Sequence, residues 1–444
     1  MARLLLLGAG HAHLDTLRAI PALTARGHAV TVVGPGPCHC YSGMGPGVLG
    51  GTYPPQAMAL PVQRMVQAAG GTFITDTAVR IDAPGHVVQF ASGLRLEYDV
   101  CSCNVGSVVA HPLPGSTHAP DGNDGNPPML PVFTVKPIEN LYRARQALLH
   151  LAARGPVHVV VAGGGPAALE VACNAAVCLA RTRSGTPPVV PGGDSVTLVA
   201  GHGLLPGLPE RARMLCRAMA ATRGVCILEG VRAMGTVPDG VLLDDGRSLP
   251  AHMALLATGV APPPLFVASG LSPRTNGSTK GRTKGGADGR PDGGTSSESR
   301  DKSGGGLAVN AHLQSLAHPD LFGGGDCIHF TPAPLPRVGV HAVRQGPVLA
   351  ANLATRLDVH ARGSARAPRS AAPLVPYIPR PGHLLVLDTG AGTGVLHRPL
   401  GRGAICFDGR AAFLLKRAID TWFMRRHLPS DSVQPGECPW DAEG

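Results

Sequence analysis

At 444 residues, 44% hydrophobic and 15% charged, the chain has the composition of a globular protein with two or three domains and a substantial core. No apolar run approaches the ~20 residues of a membrane span. The net charge of +10 is not a nucleic-acid signature: seven basic against four acidic residues fall in the low-complexity stretch 272–306, and only 4% of residues are aromatic. Eleven cysteines show no paired C-x-x-C pattern, so reduced thiols and no metal site are expected.

The chain opens with RLLLLGAGHAHL, Arg3–Leu14. Leu4–Leu7 has the length and apolarity of a buried parallel strand. It runs into Gly8-Ala9-Gly10, after which His11–Ile20 is expected to be helical until Pro21. Strand, glycine turn and helix together set a pyrophosphate over unpaired helix N–H groups. Gly8 permits the tight turn, and Gly10 lets the backbone approach the phosphates. His13 replaces the third glycine of G-x-G-x-x-G. With its first strand at residue 3, the chain leaves no room for a signal or transit peptide, and a cytoplasmic or peripheral membrane location is expected.

Ala29–Val33 reads as the second strand, but Gly34-Pro35-Gly36 stands where an acid would bond a ribose. Cys38 and Cys40 form a C-x-C pair, too strained a ring for a redox disulfide, so two ordinary thiols are expected. The run Cys40–Gly47, rich in small residues, suggests a loop lying against something flat. VCSCNVGS then reads as an apolar strand ending at Gly106, and His111–Pro131 as a loop. A helix over Ile138–Arg154 follows Lys136-Pro137.

A second strand–glycine–helix unit is VHVVVAGGGPAALE, Val157–Glu170. Gly163, Gly165 and Ala168 fill its three fingerprint positions, and Glu170 falls just inside the helix. Two such loops suggest two dinucleotides, a flavin and a nicotinamide. After a Pro/Gly insertion at 182–194 comes the strand VTLVA, Val196–Ala200, again closed by no acid but by Gly201 and His202. The choice between NAD and NADP stays open. The unit closes at Thr258-Gly259.

The stretch 272–306 contains ten glycines and no Val, Ile, Leu, Met or aromatic residue, and it reads as a disordered surface insertion. In Leu321–Cys327, Asp326 can bond a ribityl hydroxyl or a ribose, or N-cap a helix near Gly339–Leu353. Ala411–Leu428 places Ala411, Leu414, Leu415, Ala418, Ile419, Trp422 and Phe423 on one helical face, with Lys416, Arg417, Asp420, Arg425 and Arg426 on the others. That helix packs on the first nucleotide unit or a second subunit, or lies at a membrane surface. The polar, acidic residues after Pro429 are expected to stay in solution.

Taken in order, GAGHAH at 8–13, YSGM-x-PG at 41–47, Tyr98-Asp99 with Gly106-Ser107, VKPIEN at 135–140, GGGPAALE at 163–170, ATG at 257–259, GGDC at 324–327 and AVRQGP at 342–347 form a pattern. It resembles FAD-dependent pyridine nucleotide oxidoreductases of the type II NADH dehydrogenase group, especially the branch found alone or fused to selenide, water dikinase. The likeness implies an α/β fold of two Rossmann-like dinucleotide-binding domains. An FAD domain (1–131 and 307–365) would be split around an inserted NAD(P)H domain (132–271) and the 272–306 insertion, with a small C-terminal α+β part (366–444). It implies FAD contacts from Gly8, Gly10, His11, Tyr41, Gly43, Gly106 and Asp326, and NAD(P)H over Gly163, Gly165, Glu170 and Gly259. Ala342-x-x-Gln345 would lie near the flavin's far face, where quinone approaches, which puts Glu170 and Gln345 nearest the chemistry. The implied function is electron transfer from NAD(P)H through flavin to a small quinone-like acceptor, with peripheral membrane contact through 411–428 and a homodimer as further expectations. The alternatives are a flavoprotein of selenium or sulfur metabolism and a non-enzymatic redox sensor.

Overall fold

The structure, a computed structural model, describes residues 1–110, 113, 130–183, 193–273, 305–361, 373–401, 403–428 and 438. The expected loop at 111–131, the insertions at 182–194 and 272–306 and the polar tail fall largely outside these residues.

The first sheet is built on β1 (Arg3–Leu7), followed by α1 (Leu14–Ala25) and β2 (Ala29–Gly34). A short helix α2 (Gly45–Leu49), strand β3 (Thr72–Thr75) and strand β4 (Val100–Cys103) come next. The second sheet contains β5 (Val132–Thr134), α3 (Asn140–Ala152), β6 (His158–Ala162), α4 (Pro166–Thr182), β7 (Ser195–Ala200), α5 (Glu210–Thr222), β8 (Val225–Glu229) and β9 (Met253–Leu256). The chain then returns to the first sheet with β10 (Leu321–Gly323) and the long helix α6 (Gly339–Ala361). It ends in the antiparallel strands β11 (Leu385–Asp388), β12 (Gly394–Leu400) and β13 (Gly403–Gly409) and the helix α7 (Arg410–His427).

Both large sheets have five parallel strands, in the orders β10-β4-β1-β2-β3 and β5-β9-β6-β7-β8. The unbroken apolar strands follow from this: with both faces of a sheet covered, alternation disappears. Leu4, Leu5, Leu6 and Leu7 are all buried, as are Val159, Val160 and Val161. The two α/β units are therefore the ones the glycine loops announce, and the return of β10 to the first sheet is the arrangement that the family resemblance implies. Among the described residues no helix is long and apolar enough to cross a membrane.

Three expectations are corrected. The first helix begins at Leu14 and runs through Pro21 to Ala25 instead of stopping at Pro21. A mid-helix proline costs about 3 kcal/mol, whereas burying Ile20 and Leu23 together returns roughly 3–6 kcal/mol. Cys38 is not a free thiol: it is disulfide-bonded to Cys438, 400 residues away, with 5.8 Å between α-carbons. Cys438 is buried, so the tail expected in solution returns to the body at that residue. Asp326 lies in a 3₁₀ turn, Gly325–Cys327, and does not cap α6, which starts thirteen positions later at Gly339.

His13, the departure from the glycine fingerprint, is fully buried beneath the first loop. Its Nδ1 lies 2.6 Å from Gly8 O and its Nε2 2.8 Å from Ser102 Oγ on β4. A carbonyl can only accept, so Nδ1 carries the proton and Nε2 accepts from the serine hydroxyl. The imidazole thus does with side-chain bonds what close helix–strand packing at a glycine does elsewhere. Burial pushes its pKa down to about 4. A depressed histidine pKa means that between about pH 6.5 and 4 the unfolded chain binds the extra proton, so stability falls as the pH is lowered through that window. His13→Gln should reduce the pH slope of unfolding free energy there by up to one proton, measured by denaturant unfolding at a series of pH values.

Candidate active site: a cleft between two glycine loops

The carboxyl ends of the parallel strands of both sheets open onto one cleft of about 690 Å³. Gly8, Gly10 and His11 enter it from the end of β1, Gly106 from beyond β4, and Asp326 from the turn after β10. Gly165 and Glu170 enter from the opposite side with α4, and Gly259 from beyond β9. Ligands of open α/β sheets sit outside the strands' carboxyl ends.

The first loop is braced by Asn104, a residue with no obvious sequence signal beyond its place directly after the VCSC strand. Its Oδ1 accepts the Ala12 N–H at 3.0 Å, and its Nδ2 donates to Gly324 O at 2.6 Å. A Cβ on Gly10 would strike this carboxamide, and one on Gly8 would strike the Asn104 carbonyl, where Gly8 holds φ +81°. Gly8 and Gly10 are thus required by the strand-to-strand brace itself. Gly325, at φ +76°, meets the same side chain.

The second loop is different. A Cβ on Gly163 would meet Ala257 O just past the end of β9, so this glycine serves close packing behind the cleft. Gly165 has open space where a Cβ would stand and lines the cleft, as expected of the glycine that lets a pyrophosphate approach. Gly106 and Gly259 likewise border open space, at φ +70° and +101°.

Tyr41 and Gly43 support the cleft from behind. The Tyr41 ring stacks on Phe423 of α7 with centroids 4.3 Å apart, and both rings approach the His11 imidazole. A Cβ on Gly43 would stand 2.7 Å from the Tyr41 ring, so the glycine makes room for that stack. Gln345 is buried within α6, where its Oε1 accepts the Gly325 N–H at 2.7 Å. It orders the turn carrying Asp326 and does not border the cleft. Asp326 accepts the Ser107 hydroxyl at 3.0 Å, and its carbonyl accepts Arg337 Nε at 3.1 Å.

Several residues given no role from the sequence also line the cleft: Asn104, His39, Lys136 and Arg337. His39 Nε2 and His11 Nδ1 are 3.3 Å apart, while His11 Nε2 is buried with no partner among the described residues. Burial holds both imidazoles well below the ordinary histidine range, His39 at about 4; the neighbouring His39 and then Lys136 add to the shift at His11, and Lys136 adds to that at His39. Glu170 shows the opposite shift. Burial pushes its carboxyl up to about 8, with the carboxylates of Asp388 and Asp420 adding to the rise and Lys416 opposing it. Its Oε1 accepts the Asp388 N–H at 2.8 Å, which leaves Oε2 to carry the proton.

The chain's own residues fit a dinucleotide at the first loop. Gly106 leaves open space, His11 offers an unpaired nitrogen, and Asp326 borders the cleft from the 3₁₀ turn after the return strand. Two glycine loops facing one cleft define a two-nucleotide oxidoreductase of the α/β class. A family described as pyridine nucleotide-disulphide oxidoreductase matches residues 2–282, and the chain belongs to it. FAD and a pyridine nucleotide are the cofactors that go with this family.

Among curated proteins, the internal alternative NAD(P)H-ubiquinone oxidoreductase A1 of Solanum tuberosum is 25% identical over 201 residues. That match takes in 44% of this chain and 34% of the relative, so the chain spans about a third of that protein's length. Among solved structures, the sulfide:quinone oxidoreductase of Aquifex aeolicus superposes with a TM-score of 0.68 at 17% identity, covering 97% of this chain and 93% of that one. The NDH2 of Plasmodium falciparum in complex with NADH gives 0.67 at 12% identity, covering 96% and 100%. These are likenesses of fold, and they agree with the resemblance to the type II NADH dehydrogenase group. The narrower likeness to the branch fused to selenide, water dikinase stays a sequence resemblance.

Because a side chain at Gly165 would enter the cleft and touch nothing else, Gly165→Val should fold normally and keep its flavin. It should lose bleaching of the flavin by NAD(P)H at least about a hundredfold, the scale of a steric block in a nucleotide site. Anaerobic stopped-flow absorbance checks this.

Proposed function

We propose that the chain is an NAD(P)H dehydrogenase that passes electrons to a quinone-like acceptor. The observation carrying this reading is the wall opposite the second loop. It is formed by His11 and His39, with the stacked Tyr41 and Phe423 rings behind His11, and Cys40 is the one cysteine among the described residues that lines the cleft. Burial pushes the Cys40 thiol far up, so no thiolate stands ready to exchange with a disulfide. A flat organic acceptor suits a wall of two neutral imidazoles backed by aromatic rings better than a sulfur relay does.

FAD, when bound, accepts hydride from the nicotinamide and hands on two electrons. The protein's part is placement and protons. Gly165 lets the nucleotide's phosphates reach the start of α4, and Asn104 fixes the loop beneath the flavin's phosphates. Glu170 holds a proton at Oε2 on the cleft wall at neutral pH. Quinone reduction consumes protons, and a carboxyl poised near 8 can supply one. Turnover with a short-chain ubiquinone should therefore fall above about pH 8 in the parent, and that break should vanish in Glu170→Gln. Absence of quinone-dependent NAD(P)H oxidation in FAD-loaded protein would exclude the reading.

The outer surface of α7 supports a lipid-soluble acceptor. The helix buries Lys416, Asp420 and Phe423 and leaves Leu414, Leu415 and Trp422 exposed. Arg417, Arg425 and Arg426 flank this stripe, with the Arg426 guanidinium 5.5 Å from the Trp422 ring centre. Apolar and aromatic side chains ringed by arginine fit an anionic membrane surface. Co-sedimentation with vesicles containing anionic lipid should be lost in a Leu414→Gln, Trp422→Ser double variant that still binds flavin. Retained binding would remove α7 as the contact.

A further inference from the structure

The end of β7 is where a nucleotide seated on the second loop turns its adenosine ribose. The segment 201–205 runs hard against that loop: Leu205 N–H donates to Gly164 O at 2.7 Å, and Gly164 lies too close to Gly203 O to carry a Cβ. No acid follows Ala200. The strand register sets Glu229 of β8 beside Ala200, but that carboxylate is already committed. Its Oε1 accepts the Leu204 N–H at 2.5 Å, and Arg217 Nη2 reaches its two oxygens at 3.0 and 2.9 Å. A ribose 2′-hydroxyl would meet there a carboxylate whose charge is already paired with Arg217.

Arg232, three residues beyond Glu229, occupies the remaining side. Its aliphatic stem lies over Gly201 so closely that a Cβ there would strike its Cγ. Its backbone is held by Asp244: the Arg232 N–H donates to Asp244 Oδ1 at 2.9 Å, and its carbonyl accepts the Asp244 N–H at 2.9 Å. The side chain is exposed, and its guanidinium makes no ion pair among the described residues. The charged groups around it are Asp244, used by the backbone, and the Glu229–Arg217 pair. The exposed His202 stands next to Gly201.

We propose that Arg232 recognises the 2′-phosphate of NADPH and makes this chain NADPH-preferring. This deepens the reading of Gly163–Glu170 as the pyridine-nucleotide loop and rests on it. A guanidinium fork matches two phosphate oxygens, and packing of its stem on Gly201 holds the fork at the ribose edge. NADH would bring a 2′-hydroxyl to a place where no free carboxylate accepts it.

Calorimetric titration of the FAD-loaded protein with 2′,5′-ADP and with 5′-AMP tests the assignment without turnover. The bisphosphate should bind about tenfold or more tightly, as one charge-assisted pair provides. The advantage should shrink as salt is raised. Arg232→Ala should bring the ratio close to one, and Arg232→Glu should invert it, both with unchanged flavin content and melting temperature. Equal affinities in the parent, or a preference that survives Arg232→Glu, would overturn the role of Arg232 while leaving the flavin and acceptor reading intact. Binding of neither probe to flavin-loaded protein would overturn both the role of Arg232 and the reading of the second loop.

Discussion

Asn104 is the side chain on which the first nucleotide site depends. One carboxamide joins three segments: its oxygen takes the Ala12 N–H and its nitrogen reaches Gly324 O, 220 residues further along. Both bonds are buried, so removing the amide would strand a donor and an acceptor at roughly 1–3 kcal/mol each. The same side chain, with its backbone carbonyl, explains why glycine stands at 8, 10 and 325. His13 adds a second tie from beneath, between Gly8 and β4. The loop is therefore shaped by strand-to-strand bracing before any phosphate arrives, which is the pre-organisation a tight cofactor site needs.

The C-terminal helix backs the cleft by burying the Lys416–Asp420 pair. Lys416 donates to both oxygens of Asp420 and to Gly43 O, and Tyr53 donates to Asp420 at 3.3 Å. A buried ion pair is tolerated only when its remaining hydrogen-bonding capacity is met, and here the Tyr41–Tyr53 loop meets it. The clamp presses Phe423 onto Tyr41 and turns Leu414, Leu415 and Trp422 outward. It also leaves one ammonium to serve three carboxylates. Burial leads the upward shift at Glu170, Asp388 and Asp420, and repulsion from Asp420 adds to it at Glu170 and Asp388. Glu170, at the cleft edge of this group, is the member in a position to exchange a proton with a ligand.

Much of the fold was legible because its signals are local. Four leucines before Gly8 and a run of valines before Gly163 specify buried strands, and the glycines after them specify turns that only a parallel α/β sheet requires. Gly165, Glu170, Gly106 and Asp326 could be named for the same reason: each sits at a fixed offset from a strand end. Tyr41, Gly43 and Gln345 belong to the same motifs, yet they face neighbouring elements, and no spacing rule says which way a loop side chain points.

By itself, the sequence determined the two sheets, the two glycine loops and the pairing of a flavin site with a pyridine-nucleotide site. Tertiary structure decided whatever depends on residues distant along the chain. Burial of Ile20 and Leu23 carries α1 through Pro21, and chain return brings Cys438 to Cys38 across 400 residues. The face of α7 that packs carries the Lys416–Asp420 pair among Phe413, Phe423 and Met424, because Gly43 O and Tyr53 offer partners that an isolated helix lacks. Arg232 reaches Gly201 only because β8 lies beside β7. Local periodicity records which residues can be buried; the partners that complete a polar group's hydrogen bonds are fixed only when the sheets and helices meet.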